Sequence, residues 1–183
     1  RLDEYPECDT DEADGFEVRK LKRSSTALGA NEFFWNPETS EFDILAIENV
    51  DYVVHLAGEP IAQHWNEKSK KAISDSRILG TRLLVESLKL AESKAKFICS
   101  SGINFYGAQV GLNEAGEDLQ IDRADGFLSE VCHEWESEAQ SLEDSGNSVV
   151  YLRTGVVLNK YGGALARICL LYTSDAADEP VCV

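Results

Sequence analysis

The sequence predicts an α/β layer sandwich built on a parallel sheet. Apolar runs of strand length stand at residues 50–58, 95–102 and 148–158, helical periodicities fill the chain between them, and the two kinds of segment alternate throughout.

In chain order, GFEVRKLKRSS (15–25) alternates Phe16 and Val18, adds Leu21 and closes in bases, which reads as a strand ending in a basic turn. NEFFWNPETSEFD (31–43) has aromatic residues followed by Asn-Pro and reads as a short strand or a loop. VDYVVHLAG (50–58) is apolar on both faces, as a strand is when helices cover each side of a parallel sheet. Over residues 66–93 the pattern is helical. Asn66 is an N-cap candidate, and Ile73, Ile78, Leu79, Leu83, Leu84, Leu88 and Leu90 recur at helical spacing. AKFICSSG (95–102) is a second buried strand. FLSEVCHEWESEAQSLEDSG (127–146) reads as a second helix stopped at Gly146, with Glu130, Glu134, Glu136 and Glu138 on a mostly solvated face. SVVYLRTGVVL (148–158) is a third strand with its exit loop. No internal repeat is visible.

At 183 residues the chain can hold one domain with a full core, or most of a larger one. A net charge of −16 argues against a nucleic-acid surface, which needs clustered Lys and Arg. Residues 1–14 carry seven acidic side chains against Arg1 alone and read as a solvated tail. Cys8, Cys99, Cys132, Cys169 and Cys182 lack the spacing of a zinc site or a disulfide framework, so no metal is expected and a reducing, cytoplasmic setting is. No apolar stretch reaches bilayer length, and the N-terminus has no apolar signal core. The expected partner is therefore a small molecule, not nucleic acid or membrane.

Both ends depart from the α/β pattern. In a doubly wound sheet the first strand feeds a glycine-rich turn beneath the cofactor's pyrophosphate. Nothing before Gly15 offers such a strand and turn, so the first β-α unit is expected to be missing or replaced. CLLYTSDAADEP (169–180) resembles the translation of a transposase-type sequencing adapter, which places the expected end of natural sequence near Ile168. The chain then divides into an acidic tail (1–14), a partial domain (15–168) and an artefactual tail (169–183).

The blocks VVHLAGEPIAQHW and SRILGTRLLVESL, then SSGINFYG, WESEA and LRTGVVLNKYGGAL, resemble in content and order the atypical short-chain dehydrogenases/reductases. The resemblance is to the epimerase-family proteins of the NAD-dependent epimerase/dehydratase branch, which include nucleoside-diphosphate-sugar epimerases. It covers residues 15–168. It implies a Rossmann-type parallel sheet with helices on both faces, here lacking the first β-α unit. It further implies NADP as cofactor and hydride transfer at a hydroxyl or carbonyl carbon of a small polar substrate, such as a nucleotide sugar.

Site residues follow block by block. LKRSS puts Lys22 and Arg23 at the end of the presumed second strand, beside the adenosine ribose of a dinucleotide. There Arg suits a 2′-phosphate, where Asp or Glu suits a free 2′-hydroxyl. HLAGEP ends a strand in small residues, which lets backbone approach a flat ring closely, and Pro60 fixes the exit of the chain. The resemblance implies that Leu56, Ala57 and Gly58 line the cofactor, that Arg77 contacts phosphate or ribose, and that Val157 meets the nicotinamide end through its backbone. His55 reads as a packed or backbone-bonded residue. Trp65 and Trp135 read as core anchors, and Cys132 as a small buried hydrophobe.

Ser101 matches the Ser with which related enzymes hydrogen-bond the reacting oxygen. Their Tyr-x-x-x-Lys pair is absent. Alignment on Glu136 puts Leu128 and Cys132 in its place, and neither supplies an exchangeable phenolic proton or a fixed positive charge. Tyr106 is the candidate stand-in as acid/base; the other reading packs it at the sheet edge with its hydroxyl in water. This departure keeps two further expectations open: a protein that binds NADP(H) without turnover, and an inactive fragment.

Overall fold

The computed structural model describes residues 15–107, 126–159, 162–163 and 165. The expectations for residues 1–14 and 169–183 lie outside these.

The first sheet is small. Strand β1 (Lys20–Lys22) runs parallel to β2 (Glu32–Asn36), with Leu21 opposite Phe33. Strand β2 then folds back on β3 (Glu41–Phe42), pairing Trp35 with Phe42 in antiparallel register. The Asn-Pro segment is thus the turn of a hairpin. Pro37 cannot continue the ladder, and the Asn36 side chain accepts the Glu38 N–H at 3.1 Å, as turn-forming Asn residues do.

The second sheet holds β4 (Tyr52–His55), β5 (Lys96–Gly102) and β6 (Val149–Thr154), all parallel and in that order. A short antiparallel pair, β7 (Leu158–Asn159) and β8 (Gly162–Gly163), follows. Helix α1 (Glu67–Leu90) makes the crossover from β4 to β5. It starts where the sequence places it. Asn66 Oδ1 accepts the Ser69 N–H at 2.9 Å while Ser69 Oγ accepts the Asn66 N–H at 2.8 Å, a reciprocal capping box.

Helix α2 (Phe127–Gln140) is shorter than the predicted 127–146. The chain tightens into a single 3₁₀ turn at residues 143–145, which ends at Gly146 with φ +80°. The predicted stop therefore sits one turn beyond the α-helix proper, where a left-handed residue closes the 3₁₀ turn.

Both helices lie on the sheet face that carries His55, Phe97, Cys99 and Ser101. Leu84, Leu88, Phe97, Trp135, Ala139 and Leu142 form one core with Trp35 of the first sheet and with Ala46 and Ile47 of the 3₁₀ turn that follows it. Arg82 and Glu138, and Lys89 with Ser141, tie the two helices together across their outer edge. On the opposite face Tyr52, Val54, Val150 and Leu152 are exposed, and no described helix covers them. Parallel strands linked through helices make this a Rossmann-type α/β fold. Among the described residues, β1 and β4 are not hydrogen-bonded to each other and belong to separate sheets.

Candidate functional site

Because β4, β5 and β6 are parallel, the segments leaving them at residues 56–58, 103–106 and 155–157 emerge at one end of the sheet, where ligands sit in open α/β folds. The residues singled out from the sequence fall into two groups around that end.

The first group surrounds a cleft of about 440 Å³ lined by Arg23, Glu38, Ala57, Gly58, Lys71 and Ser76, among others. Arg23 Nη2 lies 2.5 Å from Glu38 Oε1. The cleft therefore offers a guanidinium, which suits a phosphate, beside a carboxylate, which suits ribose hydroxyls. Lys22 instead pairs with Glu32 at 2.5 Å, a contact that holds the Glu32 carboxyl below the usual range. Leu56 and Val157 are both well exposed at the strand exits.

Arg77 does not open into this cleft. The residue is 8% exposed; its guanidinium sits 5.2 Å above the Trp135 ring and donates from Nη1 to the carbonyl oxygens of Glu59 and Ile73, both at 3.0 Å. Burial lowers its pKa. The Glu59 N–H donates to Ser76 Oγ at 2.9 Å. The turn after β4 is thus fastened to α1 by that helix's own side chains.

The second group is a buried polar network. Ser101 Oγ donates to Glu136 Oε1 at 2.6 Å. Arg153 grips the same carboxylate with two hydrogen bonds, Nε to Oε1 at 2.9 Å and Nη2 to Oε2 at 2.8 Å. Its third nitrogen, Nη1, donates to the Tyr106 hydroxyl oxygen at 3.0 Å. The guanidinium lies 3.6 Å over the Phe105 ring, whose other neighbour, His133, stacks at 4.1 Å. Ser101 and Tyr106, expected to act together, are thus joined through the Glu136–Arg153 pair. Fork-on-fork bonding to Glu136 raises the Arg153 pKa further.

Glu136 corrects the reading of α2's acidic face. It is buried, and Glu138 pairs with Arg82 rather than water alone. The helical period held the clue, since Glu136 shares its stripe with buried Cys132 and Ala139. Arg153 was missed as well. In β6 the inward positions are Val149, Tyr151 and Arg153, while Val150 and Leu152 face out, so the polar residues mark the core side.

Trp65 is a second correction. It is 40% exposed, bonds Ile61 O through its indole N–H at 2.9 Å, and meets Phe127 edge-on at 5.5 Å instead of anchoring the core. Trp135 does anchor it. His55 is packed among Trp35, Phe97 and Trp135, and desolvation, aided by the nearby Arg77 charge, lowers its pKa to about 4. Cys132 and Cys99 are buried thiols, with burial pushing Cys99 up to about 12. Among the described residues no group of three or more His, Cys, Asp or Glu side chains is placed to hold a metal ion, and no helix is long and apolar enough to cross a membrane.

Residues 11–158 match the family model for the NAD dependent epimerase/dehydratase family. An epimerase family protein of Mycobacterium bovis is 37% identical over 161 residues, covering 85% of this chain and 50% of its own length. One from Bacillus subtilis is 34% identical over 127 residues, covering 69% of this chain and 41% of its own. The chain thus spans half or less of these relatives. Among solved structures, the nucleoside-diphosphate sugar epimerase of Corynebacterium glutamicum superposes with a TM-score of 0.65 at 33% identity, over 87% of this chain and 32% of that one. A UDP-glucuronic acid 4-epimerase from Bacillus cereus, solved with NAD, shares the fold at TM-score 0.58 and 20% identity, over 85% of this chain and 49% of that one. On the family match and the order of elements together, the chain belongs to the NAD dependent epimerase/dehydratase family.

Proposed function

We propose that this chain is the nicotinamide-cofactor portion of an NADP-dependent epimerase or oxidoreductase. It acts in the cytoplasm on a hydroxyl or carbonyl carbon of a small polar substrate, with a nucleotide sugar the best candidate. The observation that carries the reading is the Ser101–Glu136–Arg153–Tyr106 network, which sits at the same end of the sheet as the cleft of Arg23, Ala57 and Gly58.

The residues around the cleft fit the adenosine half of a dinucleotide. Small side chains leave backbone free to meet a flat ring, and Arg23 offers a partner for a 2′-phosphate once it exchanges Glu38 for it. The bound cofactor would supply the hydride chemistry. The rest belongs to the chain. Ser101 gives its proton to Glu136, so toward a ligand its oxygen accepts a hydrogen bond, as from a substrate hydroxyl. Tyr106 receives a hydrogen bond on its oxygen from Arg153, which leaves its own O–H free to be given to a substrate oxygen. A cation at that oxygen is what the missing Lys would otherwise supply.

Binding and turnover by the full-length protein test this. NADPH is expected to bind at least tenfold more tightly than NADH, and Arg23→Ala to erase the preference. With a panel of nucleotide sugars, Tyr106→Phe is expected to cut turnover about a hundredfold while leaving NADPH affinity within about twofold. Unchanged turnover removes Tyr106 from the chemistry. A second reading, cofactor binding without turnover, draws on Leu128 and Cys132 standing where Tyr and Lys would be. Tight NADPH binding with no activity across the panel would favour it.

A further inference from the structure

We propose that Arg77 is a positioning residue that holds the turn at residues 57–59 from beneath, and that Gly58 is dictated by its guanidinium. This rests on the reading that the cofactor lies against that turn.

The turn has no regular structure of its own, so its polar backbone groups need partners from elsewhere. Helix α1 supplies two of them, Ser76 Oγ for the Glu59 N–H and Arg77 Nη1 for the Glu59 carbonyl. Arg77 is itself fixed. The same nitrogen donates to Ile73 O within the helix, and the guanidinium rests over the Trp135 indole, a favourable place for a desolvated cation. A Cβ built on Gly58 would fall 2.9 Å from Arg77 Cζ, 3.0 Å from Nη2 and 3.1 Å from Nη1. Carbon atoms pack at about 3.5–4.0 Å. A flexible arginine on a surface would swing aside, but this one is buried and tied to two carbonyls and a ring.

The guanidinium therefore fills the space that a side chain at residue 58 would need. On the turn's other side Ala57, Gly58 and Glu59 line the cleft, and Arg77 itself does not. Arg77 thus acts on a ligand through the turn's shape. This differs from the direct phosphate or ribose contact that the family resemblance implied.

The test uses the full-length protein with two readouts, hydrogen exchange of the amides at residues 57–59 and 61–63 and the dissociation constants of NADPH and NADH. Arg77→Met is expected to speed exchange at the Glu59 amide tenfold or more and to weaken NADPH about tenfold, with protection of β5 unchanged. Arg77→Lys should recover part of both. Gly58→Ala is expected to weaken NADPH about tenfold in the natural background and less than twofold in the Arg77→Met background, because the atoms it strikes are gone. A purely structural Arg77 would not produce that coupling. Unchanged exchange in Arg77→Met overturns the clamp. Equal losses from Gly58→Ala in both backgrounds overturn the link to Gly58. If the unaltered protein binds neither dinucleotide, the cofactor reading fails and the cofactor half of this proposal with it, while the exchange data still decide the clamp. Should Arg77→Met not fold, Arg77→Lys and Gly58→Ala carry both readouts.

Discussion

His55 shows how far one buried residue can tilt the molecule's response to acid. It is 3% exposed, its folded pKa is about 4, and an unfolded histidine titrates near 6.5. The unfolded chain therefore takes up a proton as pH falls below 6.5 while the folded chain resists until about 4. The stabilisation from keeping His55 neutral is full above pH 6.5, is lost between 6.5 and 4, and amounts to about 3 kcal/mol. His55→Leu is expected to flatten that part of the stability–pH curve in urea unfolding. An unchanged slope would place the acid sensitivity elsewhere, in the carboxylates. The Glu136–Arg153 pair makes a second case. Removing one member strands the other's charge, so Arg153→Met is expected to cost about 3 kcal/mol, whereas joint replacement by Glu136→Leu and Arg153→Met costs less than either single change. Thermal melts of the three variants check this. The block SSGINFYG singles out Ser101 and Tyr106 but carries no sign of their linkage. It depends on a carboxylate from α2 and a guanidinium from β6, neighbours only once the layers close.

Individual elements were easier to read than individual contacts. Local signals fixed α1: an Asn at the cap, a Ser three residues on, then apolar residues at helical spacing. Asn66→Ala is expected to destabilise the protein by about 1 kcal/mol, since it removes the side-chain acceptor of the Ser69 N–H and leaves only the half of the capping box that Ser69 supplies, and denaturant midpoints measure the loss. For the hairpin of β2 and β3 the sequence admits either strand or loop, because Asn-Pro says where a chain turns and not whether its flanks then pair. The length of α2 was overestimated for a related reason. Apolar spacing persists through buried Leu142, yet the last turn is wound more tightly, a change the periodicity of so short a stretch does not resolve.

Across the whole molecule, the parallel pattern read from strand–helix alternation holds. One sheet face packs the core while Tyr52, Val54, Val150 and Leu152 on the other stay open. Val54→Lys is expected to lower the fluorescence of a hydrophobic dye bound to the protein while changing stability by less than about 0.5 kcal/mol, because the native side chain is already half in water. A large loss of stability would mean that something covers this face. Strand β1 and strand β4 share no hydrogen-bond ladder; the two sheets meet through side chains, Trp35 chief among them. A ladder resists sliding, whereas a packed ring tolerates it. The cleft straddles this seam, with Arg23, Trp35, Pro37 and Glu38 on one bank and Ala57, Gly58, Lys71 and Ser76 on the other. A molecule filling it would bolt the two banks together, so occupancy and the rigidity of the join would rise and fall as one quantity.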